Sequence, residues 1–237
     1  MNLLKEHPRI THVNISSNLI SGEGFETCLQ DFIQNNTVTH LDLGVYEASN
    51  RKNSLGMQGA VCLSSLLMRN ETLESICVKD NDFGADGGQC IGLSLSGNTS
   101  LKVLKIAENK LTSLGATPII KNATNLVSLD LARNELESDI GKLLSQLLRR
   151  TEVLQKLYLQ YNALQMTGTR QLSIGLARSN SLTSLNLKAN RIGDQGVTLL
   201  ASAVQSCPTL IELDVSLNEI SESGFQALCE ALPHTNL

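Results

Sequence analysis

One phrase recurs along this chain: Leu-x-x-Leu-x-Leu-x-x-Asn followed by an aliphatic residue. Parts of it read "LDLARNEL" at 129–136, "LYLQYNAL" at 157–164 and "LNLKANRI" at 185–192. Eight copies start at Ile10, Val38, Leu73, Leu101, Leu126, Leu154, Leu182 and Leu210, with spacings of 28, 35, 28, 25, 28, 28 and 28 residues. A period of that length restricts the fold more than any composition does. Each unit is too small to bury its own apolar face, so neighbouring units must stack to do it.

The letters within a unit assign themselves. Aliphatic residues three and five places after each start (Leu41 and Leu43, Leu129 and Leu131, Leu185 and Leu187, for example) alternate as in a short strand with one buried face. Asn follows where the chain turns: Asn18, Asn81, Asn109, Asn134, Asn162, Asn190 and Asn218, with Asn53 in that role after an insertion in the second unit. A stacked column of Asn amides can satisfy turn backbone that would otherwise be buried unpaired. A second aliphatic residue (Ile20, Leu55, Phe83, Leu111, Leu136, Leu164, Ile192 or Ile220) precedes a helical pattern, such as Val197, Leu200, Ala201 and Val204 on one face. Asp194 is placed to cap that helix. Gly recurs near each helix start, which predicts a close approach to neighbouring backbone. The fourth unit is three residues short and carries Pro118 where its helix is expected to start.

Parallel strands stack about 4.8 Å apart and packed helices about 8–10 Å apart. The mismatch predicts a right-handed α/β horseshoe of about eight repeats, with a parallel sheet on the concave face and helices on the convex face. The pattern resembles the leucine-rich repeat family, specifically its 28-residue ribonuclease-inhibitor-like class, over essentially residues 10–236. Ribonuclease inhibitors and intracellular immune receptors of the nucleotide-binding type carry similar repeats. The domain reading is a single leucine-rich repeat domain, 1–237. The final "HTNL" matches "ATNL" at 123–126, and neither end carries a convincing polar cap, so the chain reads as a fragment of a longer one. Its solenoid ends are then covered by further repeats or by another chain.

Composition narrows the function. Net charge is −4, and no basic stripe marks a nucleic-acid binder. No apolar run approaches the roughly 18–20 residues of a membrane span, and "MNLLKEHPRI" has no signal-peptide core. Six cysteines form no CxxC pair or zinc spacing. These features point to a cytoplasmic protein without metal or cofactor. Sequons start at Asn14, Asn35, Asn70, Asn98 and Asn122; four of them end a helix, where Asn and Thr serve as turn residues.

With the buried letters assigned, the variable letters lie on the outer strand face and its bordering turns. Tyr158 and Tyr161, with Lys156, Gln160, Arg133 and Lys188 nearby, form the best candidate for partner binding, because Tyr offers contact area with a polar tip. Tyr46 and Arg51 lie in the insertion, "GVYEASNRKN" at 44–53, and are the second candidate surface. His12, His40, Asp42 and Cys77 share a face, the inventory of a metal site or a Cys–His pair, without a supporting spacing motif. The expected function is a non-catalytic scaffold that binds a protein of unknown identity through the concave sheet and its loops. The alternative follows from resemblance: Ran GTPase-activating proteins share this repeat class and supply a catalytic Arg from a loop after an early strand, where Arg51 lies here.

Overall fold

The computed structural model describes residues 9–46 and 50–231. The residues that carry the fragment reading, 1–8 and 232–237, lie outside that range, as do 47–49 of the insertion. The chain divides into two compact units, Met1–Leu126 and Val127–Leu237.

In the first unit strands and helices alternate: β1 (His12–Asn14), α1 (Gly22–Gln34), β2 (His40–Asp42), α2 (Gly56–Arg69), β3 (Ser75–Cys77), α3 (Gly84–Ser94), β4 (Val103–Lys105) and α4 (Thr112–Asn122). The second unit continues the alternation with β5 (Ser128–Asp130), α5 (Gly141–Arg150), β6 (Lys156–Tyr158), α6 (Gln165–Leu176), β7 (Ser184–Asn186), α7 (Gly193–Gln205), β8 (Glu212–Asp214) and α8 (Glu222–Ala231). A 3₁₀ turn, Ser138–Ile140, precedes α5. All strand pairs within each unit are parallel. His12, His40, Ser75 and Val103 stand in register in the first unit, and Ser128, Lys156, Ser184 and Glu212 in the second. Eight repeats of strand and helix therefore follow the sequence period.

Each strand is three residues long because the chain needs only one inward side chain there before it turns. Leu41, Ile76, Leu104, Leu129, Leu157 and Leu185 fill that place and are buried. In β1 and β8 the equivalent Val13 and Leu213 are only half-buried, since among the described residues each has a neighbouring strand on one side alone.

The Asn column performs as its chemistry requires. Asn190 donates through Nδ2 to the carbonyls of Leu159 (2.9 Å), Leu187 (3.1 Å) and Lys188 (3.2 Å), and its Oδ1 accepts from the Leu164 amide. Asn53 holds the same place after the insertion: its Nδ2 donates to the Ile15 and Leu43 carbonyls, and its Oδ1 accepts from the Asn18 and Ile20 amides. From Asn53 to Asn218 every member is buried. Asn18 is exposed.

Residues on both sides of the column adopt left-handed backbone. Asp80 and Asp82, Glu108 and Lys110, Arg133 and Glu135, and Ala189 and Arg191 all have φ between 52° and 59°. Such a conformation costs about 1 kcal/mol for a residue with a Cβ. The buried amide bonds on either flank offset that cost, so the turn does not need glycine, and its strain is invisible in the letters.

Two expectations about helices fail. Pro118 does not start α4 but lies inside it, because the helix begins directly after the buried Leu111. Pro118 removes one intrahelical donor. Its backbone is seated against α3, where a Cβ on Gly92 would fall 2.7 Å from the Pro118 carbonyl carbon. Asp194 does not cap α7, whose first-turn position it occupies behind Ile192. Its carboxylate reaches the next repeat, accepting from the Ser221 amide (2.8 Å) and hydroxyl (2.5 Å). These bonds hold it below the usual carboxylate range. The recurring glycines divide into two kinds. A Cβ on Gly115 would sit 2.6 Å from the Ala85 carbonyl oxygen, the close backbone approach expected; one on Gly59 would instead strike the Leu55 side chain at 2.3 Å.

A second seam lies where helices end. Asn70 Nδ2 donates to the carbonyls of Phe32 and Asn35, and its Oδ1 accepts from the amides of Thr72 and Leu73. Asn98 repeats this with Leu67 and Leu101. The sequons at Asn35, Asn70 and Asn98 are thus buried joints of the repeat. Among the described residues no helix is long and apolar enough to cross a membrane.

Candidate functional site

The candidate surface of the second unit is assembled by register. Lys156 and Tyr158 are on the outer face of β6; Tyr158 stands beside Asp130 of β5 and Asn186 of β7. Past the strands the ladder continues into the turns: the Arg133 amide donates to the Gln160 carbonyl (3.0 Å) and the Tyr161 amide to the Lys188 carbonyl (2.8 Å). Arg133, Gln160, Tyr161 and Lys188 are therefore fixed at neighbouring rungs by backbone. The left-handed turns at Arg133 (φ 52°) and Tyr161 (φ 58°) aim their side chains at each other. The Arg133 guanidinium carbon lies 3.8 Å from the Tyr161 ring centroid, and Lys188 Nζ lies 5.9 Å from it.

The structure brings Arg133, Tyr161 and Lys188 together, with Gln160 on the adjoining backbone rung, while Lys156 and Tyr158 stand on β6 beside Ser184 and Asn186 of β7. The sequence reading omitted Arg191, which lines a shallow groove with Arg133, Glu135, Glu137 and Tyr161. Its signal was available: it occupies the place after the Asn that Glu135 occupies two repeats earlier. Gln160 holds its side-chain oxygen away from solvent without a hydrogen-bond partner among the described residues. On the flank, Asn186 Nδ2 donates to Asp214 (3.2 Å) and the Ser184 hydroxyl to Glu212 (2.7 Å). Partial burial works against the Asp214 charge, but bonds from Ser216, the Lys188 charge and the Asn186 amide hold it below the usual carboxylate range.

Tyr46 and Arg51 belong to the first unit. Tyr46 is exposed; its hydroxyl accepts from Asn14 Nδ2 (3.1 Å), and its amide donates to the Ser17 hydroxyl. Arg51 is exposed. Its neighbour Lys52 pairs with Asp80, Lys79 with Glu108 (3.2 Å) and Lys110 with Asp82 (2.7 Å), so the turns of this unit neutralise one another.

The His12 and His40 rings stack at 4.0 Å, each bonded through Nδ1 to the hydroxyl of the preceding Thr. Among the described residues no group of three His, Cys, Asp or Glu side chains could hold a metal ion. Burial, with the adjacent Asp42 carboxylate, pushes the Cys77 thiol up to about 11, which disfavours the thiolate that attack and metal ligation need.

A leucine-rich repeat family model matches residues 69–92, 97–119, 122–145, 178–201 and 206–229, half of the chain. No curated protein sequence matches it. Among solved structures, leiomodin-1 actin-binding site 2 is similar at TM-score 0.49 and 14% identity, over 75% of this chain and 88% of that one. The tropomodulin C-terminal domain of Caenorhabditis elegans is similar at TM-score 0.49 and 12% identity, over 74% and 92%. With its repeats, their register and the family match in agreement, this chain belongs to the leucine-rich repeat family.

Proposed function

We propose that the protein is a non-catalytic interaction module that docks a protein partner on the outer strand face and bordering turns of its second unit. The observation that carries this reading is the Arg133–Tyr161 stack. Backbone rungs hold Arg133 over the Tyr161 ring, a few residues after the strand that carries exposed Lys156 and half-buried Tyr158. Such a preformed surface lowers the ordering cost of association. Aromatic and Arg anchors are the residue types that dominate interface energetics.

The test is cross-linking mass spectrometry of the protein in its native cell, with photoreactive groups placed at Lys156 and Lys188. A protein partner attached at both positions, and lost in the Tyr158→Ala/Tyr161→Ala double variant with an unchanged circular-dichroism spectrum, supports the module. Attachment that survives the double variant removes this surface from the function.

A further inference from the structure

We propose that copies of this chain associate head to tail. The face of the eighth repeat on one copy seats against the face of the first repeat on another, and Phe225 enters the groove lined by Val13, Ile15, Leu19, Ile20 and Gly24.

The joints between repeats use a fixed set of contacts, and the two terminal faces carry its two halves. The residue twelve places after a repeat start covers the glycine fourteen places after the next start. Ala85 covers Gly115, Ser138 covers Gly168 and Asp194 covers Gly224; an added Cβ would fall 2.6, 3.0 and 2.5 Å from the covering residue. Gly24 holds that place in the first repeat. A Cβ there would meet only Ser21 and Ile20 of its own repeat, no nearer than 3.5 Å. Gly24 is exposed, whereas the other three glycines are buried. The other half of the contact is Glu222, exposed at the twelfth place of the eighth repeat. The fifteenth place faces the following repeat: Ala116, Thr169 and Val197 are fully buried there, but Phe225 is 63% exposed.

The polar groups match in the same way. The Asn190 and Ile192 amides donate to Asn218 Oδ1 of the next repeat. Among the described residues nothing plays that part for the Asn218 and Ile220 amides, while Asn18, which heads the column, is exposed at the opposite face. Across the first joint Gln58 donates to Glu26 (2.9 Å). The equivalent places on the terminal faces hold Glu23 and Gln226, the same pair with its roles exchanged. Continuing the strand register sets Glu212 beside His12 and Asp214 beside Asn14, an acid against an imidazole and a carboxylate against an amide. An unrelated apolar helix fills the groove without meeting these polar groups at the spacing of the repeat, so the occupant is a second copy. Such a contact is heterologous and leaves one face open on each end of the assembly, so growth continues past the dimer.

The test is sedimentation equilibrium of the intact protein over about a hundredfold range of concentration, with a reductant present because Cys28 and Cys229 are exposed. The weight-average mass is expected to rise with concentration beyond that of a dimer. Phe225→Ser on one face and Gly24→Leu on the other are each expected to weaken association about tenfold or more, with urea unfolding still cooperative. Each variant keeps one intact face, so an equimolar mixture of the two forms a dimer and nothing larger. A monomer throughout the range, self-association that survives either variant, or a mixture that stays monomeric overturns the proposal.

Discussion

Where the chain leaves its helices, the first unit carries Asn35, Asn70 and Asn98 ahead of an Ala123 at its last such point, and the second carries Thr151, Ser179 and Cys207 at the same point of the repeat. All are buried, yet they do unequal work. Asn70 forms four hydrogen bonds, two as donor to the preceding repeat and two as acceptor. Thr151 and Ser179 accept longer bonds, from Leu154 at 3.2 Å and Leu182 at 3.3 Å, while the Cys207 thiol makes only weak sulfur contacts, to the Ser179 carbonyl and the Thr209 hydroxyl. On the surface, the first unit carries the Lys52–Asp80, Lys79–Glu108 and Lys110–Asp82 pairs, and the second places Arg133 and Lys188 near the Tyr161 ring. The repeat demands only that its buried backbone groups be satisfied. Side chains outside that demand are free to diverge.

The largest test concerns what the units share. Asn81→Leu in the first and Asn190→Leu in the second are each expected to cost about 3–5 kcal/mol, since several buried backbone groups lose their partner at once. Equilibrium urea unfolding checks this, and a loss in one unit alone breaks the claim of a common column. Next comes the seam that differs. Asn70→Ala is expected to cost about 2–3 kcal/mol and Thr151→Ala about 1 kcal/mol or less, in proportion to the bonds removed. Equal costs in the same assay remove the asymmetry.

Smaller effects address the surface. Tyr161→Ala is expected to change stability by about 0.5–1 kcal/mol, the worth of an exposed cation–aromatic contact; a larger loss by thermal unfolding makes that ring part of the scaffold. Smallest is Lys110→Gln, which breaks the pair with Asp82 while both side chains remain largely exposed. Its expected cost is about 0.5 kcal/mol or less and fades with added salt. A larger, salt-independent loss would make the first unit's ion pairs structural.

The strand register and inner column were legible because both obey strict spacing. Leu129, Leu157 and Leu185 recur at one interval, and even Asn53 is recoverable beyond its insertion, since an aliphatic residue two places later marks the frame. The neighbouring rungs of Arg133, Gln160, Tyr161 and Lys188 followed from the same frame. Arg191 was missed because attention to outer strand positions stops before the far side of the Asn turn. Pro118 was misplaced because the short repeat loses its residues elsewhere and the helix still starts after Leu111. Asp194 was misread because a local pattern looks like a cap, while its carboxylate finds Ser221 one repeat later.

The sequence alone determined which side chains face inward, how the strands pair and where the repeat turns, because periodic burial of apolar groups is a one-dimensional signal. Only the tertiary structure decided what each exposed group faces: Arg133 on Tyr161, Lys79 on Glu108, Asp194 on Ser221. Those contacts depend on left-handed turns and on partners a full repeat away, and neither leaves a mark in the local order of residues.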